Sequence, residues 1–234
     1  IILRNITAKK AKYLNSLGMP GLEFFPSIKR FYPHGNLASH LIGHTNNNLN
    51  GVNGIEKTFD KKLSSGKDVT LSMDVRVQYA IREELLKDFE SFKSKSAATI
   101  LIDIKTNEII SMVSLPDFNP NFSINPKSNS YRNTATLNLY EMGSTFKVFT
   151  IAAAFEHSEI NLSSNFDARK PLRISSKYLI KDYHPENRVL STKEVFLKSS
   201  NIGASLIGLK LGRDNLKSFY NSLGLFDYSS INIR

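Results

Sequence analysis

The sequence predicts an α+β chain of more than one domain, with helices flanking an antiparallel sheet. Three observations carry that expectation. Two β-rich runs, 98–104 and 109–115, are split by the polar stretch Lys105-Thr106-Asn107-Glu108, the pattern of a hairpin. Just before them, Val77, Ile81, Leu85, Phe89 and Phe92 recur at helical spacing. A further helical run, 140–157, is apolar on nearly every side, which calls for burial rather than a surface position.

Each element follows from local chemistry. Residues 1–63 mix short helical and extended pieces with turn formers: Leu17-Gly18-Met19-Pro20-Gly21, Tyr32-Pro33-His34-Gly35, and the stretch 46–54. The polar segment 63–68 reads as a linker, which divides the chain into domains 1–63 and 64–234. Asp74 is the candidate cap of the helix bearing the Val77 stripe, and Arg82, Glu83, Lys87 and Asp88 give that helix a solvated face. Residues 116–139 are rich in Pro, Asn and Ser, lack periodicity, and read as a long surface loop. Beyond the apolar helix, 171–184 suits a small strand pair, and 192–198, 201–211 and 214–223 suit three helices, the last two separated by Gly212-Arg213.

Composition narrows the function classes. Thirty-one basic residues stand against 21 acidic ones, a net charge of +10 that favours anionic surroundings. The cations are scattered and no zinc-finger, basic-zipper or RNA-binding signature accompanies them, so no nucleic-acid partner is expected. With no cysteine, disulfides and thiolate metal sites are excluded. No apolar run approaches the roughly 18 residues of a membrane-spanning helix. The chain opens without an initiator Met or signal pattern, and is expected to be part of something longer.

The chemistry centres on YEMGSTFKVFTIAAAFEH. A serine hydroxyl is a weak nucleophile until a base takes its proton. Ser144 and Lys147 are three residues apart, so on a helix they share a face. An ammonium buried among Phe146, Val148, Phe149 and Ile151 is penalised by desolvation and becomes a competent base. The helix start adds free N–H groups suited to an oxyanion. Spacing alone is weak evidence, because Ser64 and Lys67 share it in a linker context and helix capping accounts for most such pairs. A Ser-x-Asn element is therefore expected downstream. Ser163-Ser164-Asn165 reads as a turn after the helix. Ser199-Ser200-Asn201, between two helices, places Ser199 as a proton relay and Asn201 as a hydrogen-bond donor to substrate.

These motifs resemble those of the class B high-molecular-weight penicillin-binding proteins, monofunctional peptidoglycan transpeptidases. RFYPHGNLASHLIGHT and GVNGIEKTFDKKL are similar to that family's non-catalytic pedestal, or dimerisation-type, module. SMDVRVQYAIREEL and ILIDIKTNEIISMVSLPDFNPN resemble the opening helix, hairpin and loop of the transpeptidase domain. RNTATLNLYEMGSTFKVFTIAAAFE and DYHPENRVLSTKEVFLKSSNIGAS resemble its first and second active-site blocks. The wording is nearest the septal, cell-division branch, with the elongation branch as competitor.

The resemblance implies a pedestal followed by the N-terminal part of a transpeptidase domain, needing no cofactor or metal. It implies that Ser144 is acylated by the penultimate D-Ala carbonyl of a stem peptide and that Lys147 is the general base. Ser199 and Asn201 would form the second-motif pair, with Ser200 and Tyr183 as further substrate contacts. It also implies peptidoglycan stem peptides on their lipid-linked precursor as substrate, β-lactams as trapping ligands, and divisome proteins as partners. An N-terminal anchor would hold the protein in the bacterial inner membrane, its catalytic part on the periplasmic side. A non-catalytic penicillin sensor or scaffold is the alternative from another class.

The family's third motif, Lys or His, then Thr or Ser, then Gly, is absent from the sequence, and the 63–69 junction is short. Truncation before that motif is the expectation, so the 234 residues alone should take up little or no penicillin. Met142 replaces a common proline. Arg30, Glu56 and Asp60 read as a structural ion-pair set tying the pedestal to the catalytic part. His40 and His44 have zinc-like spacing but no third ligand nearby, and read as structural. A sheet lacking its later strands should expose apolar surface. The isolated chain is thus expected to self-associate in light scattering; a monomeric, highly soluble chain would count against truncation.

Overall fold

A computed structural model of the chain describes residues 2–4, 6–122, 125–228, 231 and 233. Packing divides it into two compact units, Ile1–Leu139 with Ile231–Arg234, and Tyr140–Ser230. This division falls elsewhere than the 63/64 boundary read from the sequence, because the long helix and the hairpin pack with the segment around Leu41.

In the first unit, α1 (Ala8–Ser16) is capped by Thr7, and three short helices follow: α2 (Ser39–Ile42), α3 (Gly54–Thr58) and α4 (Asp60–Ser64). Gly43 lets α2 and the start of α3 meet: its φ is +78°, and a Cβ there would stand 2.0 Å from the Asn53 carbonyl oxygen. Next comes α5 (Val75–Ser91), whose N-cap Asp74 accepts from the Arg76 and Val77 amides as its sequence position foretold. The hairpin is also present, β1 (Ala97–Ile102) antiparallel to β2 (Ile109–Leu115), with Ile100 opposite Met112 and a register shift after Leu101.

Three expectations are corrected here. Arg82 is not solvated: its side chain is 13% exposed and its guanidinium bonds Asp117 at 2.7 Å and Glu83 at 2.9 Å. Phe92 ends α5 as its C-cap and stands 77% exposed, so the stripe, itself half-buried, stops at Phe89. The stretch 116–139 is not simply a surface loop. It holds a 3-10 turn at Asn129–Tyr131 and α6 (Thr134–Leu137), buries Asn133 and Thr134, and is bound by polar contacts. Asn121 accepts from the Tyr32 amide at 2.9 Å and donates to the Tyr32 carbonyl at 2.8 Å. Asn and Ser there are not loose linker chemistry but side chains that satisfy backbone groups, both within the stretch and at Tyr32.

The feature the hydrophobic pattern hid is Gln78, on the inner face of α5 and fully buried. Its Nε2 donates to the carbonyls of Leu37 (2.9 Å) and Met112 (2.8 Å), and its Oε1 accepts from Ser111 Oγ (2.7 Å) and the Met112 amide (2.9 Å). Every hydrogen-bonding site of that amide is used, the condition under which burying it is tolerable.

The second unit is built around α7 (Lys147–Glu156), preceded by a 3-10 turn at Gly143–Phe146. Then follow β3 (Asn165–Asp167), β4 (Leu172–Arg173), β5 (Leu179–Ile180), β6 (Val189–Ser191), α8 (Thr192–Leu197), α9 (Asn201–Leu211) and α10 (Arg213–Ser222). β4 pairs with β5 as expected; β3 pairs with β6, a pairing too short to show in a pattern. Ile151, Ala153, Ala154, Leu190, Val195 and Ile207 form the core joining α7, α8 and α9. At about 1.5–3 kcal/mol for each large aliphatic side chain taken from water, this cluster supplies the main drive for the unit. Gly203 sets the α8–α9 approach, since a Cβ on it would lie 2.4 Å from Val195 Cγ2.

Replacing Gln78 by leucine keeps bulk but strands the Met112 amide and two carbonyls. A loss of about 3 kcal/mol is expected in denaturant unfolding; an unchanged midpoint would show that the amide network contributes nothing.

Candidate active site

Gly143, with φ +54°, turns the chain into the 3-10 segment that carries Ser144, and α7 begins at Lys147. Ser144 is exposed. It lines a cleft of about 290 Å³ together with Asp182, Tyr183, His184, Lys198, Ser199 and Asn201. The structure therefore gathers Ser144, Ser199, Asn201 and Tyr183, distant in sequence, around one space.

Lys147 reaches the same place by another route. Its Nζ donates to Ser199 Oγ at 3.0 Å and to the Ser199 carbonyl oxygen. Among the described residues no hydrogen bond joins Lys147 to Ser144. A 3-10 turn sets residues three apart in line, so Ser144 and Lys147 still share a side, while the lysine's hydrogen bonds reach across to the next motif. The surroundings also differ from expectation: Lys147 is half-buried, and Phe146 and Val148 are exposed, leaving Ile151 as the buried neighbour. Desolvation still lowers the lysine below its ordinary value, opposed by the negative charge of Asp182.

The second motif is set by helix ends. Ser191 and Glu194 form a reciprocal capping box that starts α8, and Lys198 closes it. Ser199 then adopts a left-handed conformation, φ +53°, uncommon for a residue with a side chain and typical of strained functional turns. Ser200 caps α9: its Oγ accepts from the Gly203 amide at 2.9 Å and donates to the Asp182 carboxylate, whose oxygens lie 2.9 and 3.1 Å away. At 2% exposure Ser200 does not open onto the cleft, and its hydroxyl serves the turn. Asn201 Nδ2 donates to the Lys181 carbonyl at 2.8 Å, leaving its second N–H and its oxygen for other partners. Tyr183 stands 89% exposed at the rim, edge-on to His184.

Asp182 is the residue that sequence reasoning missed. It is 9% exposed, and besides Ser200 it accepts from the Ile202 amide at 3.0 Å. Its partners are 18 and 20 positions downstream, so no local pattern marks it; adjacency to Tyr183 was the one hint. Glu186 pairs with Lys198 at 3.2 Å and with Arg188 at 3.4 Å, joining the 182–188 loop to the end of α8.

The other sequence candidates lie apart from this cleft. Ser164 Oγ accepts from the Asn161 amide and Asn165 opens β3, so the first Ser-Ser-Asn is a turn. Arg30 and Glu56 form an ion pair of 2.7 Å, with Glu56 buried. Asp60 makes no ion pair among the described residues; it accepts from the Gly51 amide at 2.7 Å. The three therefore brace residues 30–60 internally, because each finds its partner within that segment. His40 and His44 spend ring nitrogens on the Ser130 carbonyl and the Asn53 side chain, both at 2.9 Å, and burial lowers the pKa of both.

Residues 1–91 match the Penicillin-binding Protein dimerisation domain, and residues 97–230 match the Penicillin binding protein transpeptidase domain. A Caulobacter vibrioides protein named "Probable peptidoglycan D,D-transpeptidase FtsI" is 36% identical over 229 residues, covering 96% of this chain and 39% of its own length. The Escherichia coli K12 "Peptidoglycan D,D-transpeptidase FtsI" is 28% identical over 250 residues, covering 96% and 42%. The chain thus spans about two fifths of the length of these relatives. Penicillin binding protein 3 of Mycobacterium tuberculosis has the same fold, with a TM-score of 0.79 at 22% identity over 87% of this chain and 48% of that one. Two domain models matching in succession along one chain leave a single grouping: it belongs to the penicillin-binding proteins of class B architecture, a dimerisation domain followed by a transpeptidase domain.

Proposed function

We propose that this chain carries the nucleophile side of a serine acyl-transfer centre in a peptidoglycan D,D-transpeptidase. The observation that carries the reading is the 3.0 Å contact from Lys147 Nζ to Ser199 Oγ inside the cleft lined by Ser144. In this reading Ser144 Oγ attacks the penultimate D-Ala carbonyl of a stem peptide while Lys147, as the neutral amine, takes its proton. The ammonium passes a proton through the Ser199 hydroxyl to the departing D-Ala nitrogen, leaving an ester on Ser144. The amine of a neighbouring strand then attacks the ester, and the proton path runs in reverse to restore the free serine and complete the cross-link.

Asn201 supplies a hydrogen bond to the acyl donor from the N–H that Lys181 leaves free, and Tyr183 forms an exposed aromatic side of the cleft. Ser200 contributes by fixing the turn. β-Lactams present the same acyl group and would be held as the Ser144 ester. The sequence blocks nearest the septal branch support a role in division-site wall synthesis on the periplasmic side of the inner membrane, with lipid-linked precursor as substrate and divisome proteins as partners. Among the described residues no helix is long and apolar enough to cross a membrane.

The test is labelling of the full-length protein with a fluorescent penicillin. Ser144→Ala is expected to abolish the covalent label; equal labelling would reject the enzyme in favour of a non-catalytic sensor or scaffold. Lys147→Gln is expected to slow acylation about 10²–10⁴-fold, the usual contribution of a general base. Because burial lowers the Lys147 pKa from 10.5, the neutral base is available at lower pH than for a free lysine. The acylation rate should therefore climb with pH along a limb below that of ordinary lysine, measured by stopped-flow penicillin binding; a limb at 10.5 or above would contradict it.

A further inference from the structure

Asp182 is the one carboxylate among the residues lining the cleft, and it is nine-tenths buried. A buried carboxylate is costly unless its oxygens are bonded. Here they take the Ser200 hydroxyl and the Ile202 amide at the N-terminus of α9, an end that favours negative charge. The bonds fall on the two residues flanking Asn201, immediately after the left-handed Ser199. That turn places both oxygens of Ser199 that receive Lys147.

Resting on the acyl-transfer reading above, we propose that Asp182 is a positioning residue with two effects: it clamps the Ser199–Asn201 turn, and its fixed charge holds the ammonium that Lys147 becomes on taking the Ser144 proton. Among the described residues, the other charged groups on the elements packed against α7 are engaged elsewhere or exposed. Lys198 is engaged by Glu186, Glu194 on α8 is engaged by Arg188, and Lys210 on α9 is engaged by the Glu159 carbonyl. Lys193 on α8 is exposed, as are Arg213, Asp214 and Lys217 on α10 and Glu156 on α7. His184 lines the cleft and Glu186 stands in the same loop, paired with cations. The lowering of Lys147 by burial is opposed by Asp182 alone among charged groups, in keeping with the geometry.

The two effects separate by mutation in the full-length protein. Asp182→Asn keeps the shape and an acceptor for the Ile202 amide but removes the charge. The acid limb of the acylation–pH profile is expected to move to lower pH, because a neighbouring anion favours the charged amine and its loss releases the proton sooner. Ser200→Ala loosens the turn and keeps the charge. It should slow acylation, up to about 100-fold if Ser199 shifts by an ångström, without moving the limb. A residue acting only as a structural brace would leave the limb in place in both variants, and that result overturns the proposal.

Should Asp182→Asn fail to fold, Asp182→Ser, smaller and equally uncharged, carries the same expectation: the limb moves to lower pH, and an unmoved limb rejects the idea. A wild-type protein that takes no penicillin defeats the acyl-transfer reading itself, an outcome distinct from an acylated wild type whose variants share one limb.

Discussion

The cleft depends on a carboxylate placed at the head of a helix. Asp182 receives the Ser200 hydroxyl and the Ile202 amide, and by doing so fixes how α8 hands over to α9. The handover takes a single residue in a left-handed conformation, Ser199. Such a conformation costs about 1–3 kcal/mol for a non-glycine residue and persists only where neighbours over-determine it. The cap by Ser200 on Gly203 and the close approach of Gly203 to Val195 provide that over-determination.

The apolar core has a different task. Ala153 and Ala154 of α7 are fully buried, and Ile202, Ile207 and Leu211 of α9 belong to the same cluster. Small residues on one helix and branched ones on the other give α7 and α9 a fixed seat, so Lys147 at the head of α7 meets Ser199 just ahead of α9. Non-directional burial supplies the stability, while directional polar bonds at the helix ends decide where the cleft side chains stand. The cleft itself remains open: Ser144 and Tyr183, which line it, are exposed.

Much of this was legible in the sequence, for identifiable reasons. The hairpin, α5 with its Asp74 cap, and the three helices after 191 follow patterns that repeat within a few residues. Ser144, Ser199 and Asn201, picked out by residue type and spacing, line one cleft, and Lys147 bonds Ser199. What escaped was polar and long-range. Gln78 interrupts no apolar stripe, Asp182 serves residues 18 and 20 positions away, and Arg82 was assigned to solvent because a lone arginine beside acids on a helix ordinarily faces it. The Lys147 contact with Ser199 was illegible for a related reason: its partner lies 52 positions downstream. Hydrophobic period reports which face is buried, and it is silent on which polar side chain is buried with it.

Gln78 has a consequence for assembly. Its amide occupies both backbone groups of Met112, and the neighbouring Asp74 amide takes the Ile110 carbonyl. The Asp74 amide and the Gln78 side chain therefore occupy the outer side of β2 at Ile110 and Met112, where a further strand would pair. The hairpin is left as a one-sided template. Any additional strand must join at β1, where Ile100, Leu101 and Ile102 remain exposed. Direction of growth, usually a property of topology, is here imposed by one side-chain amide.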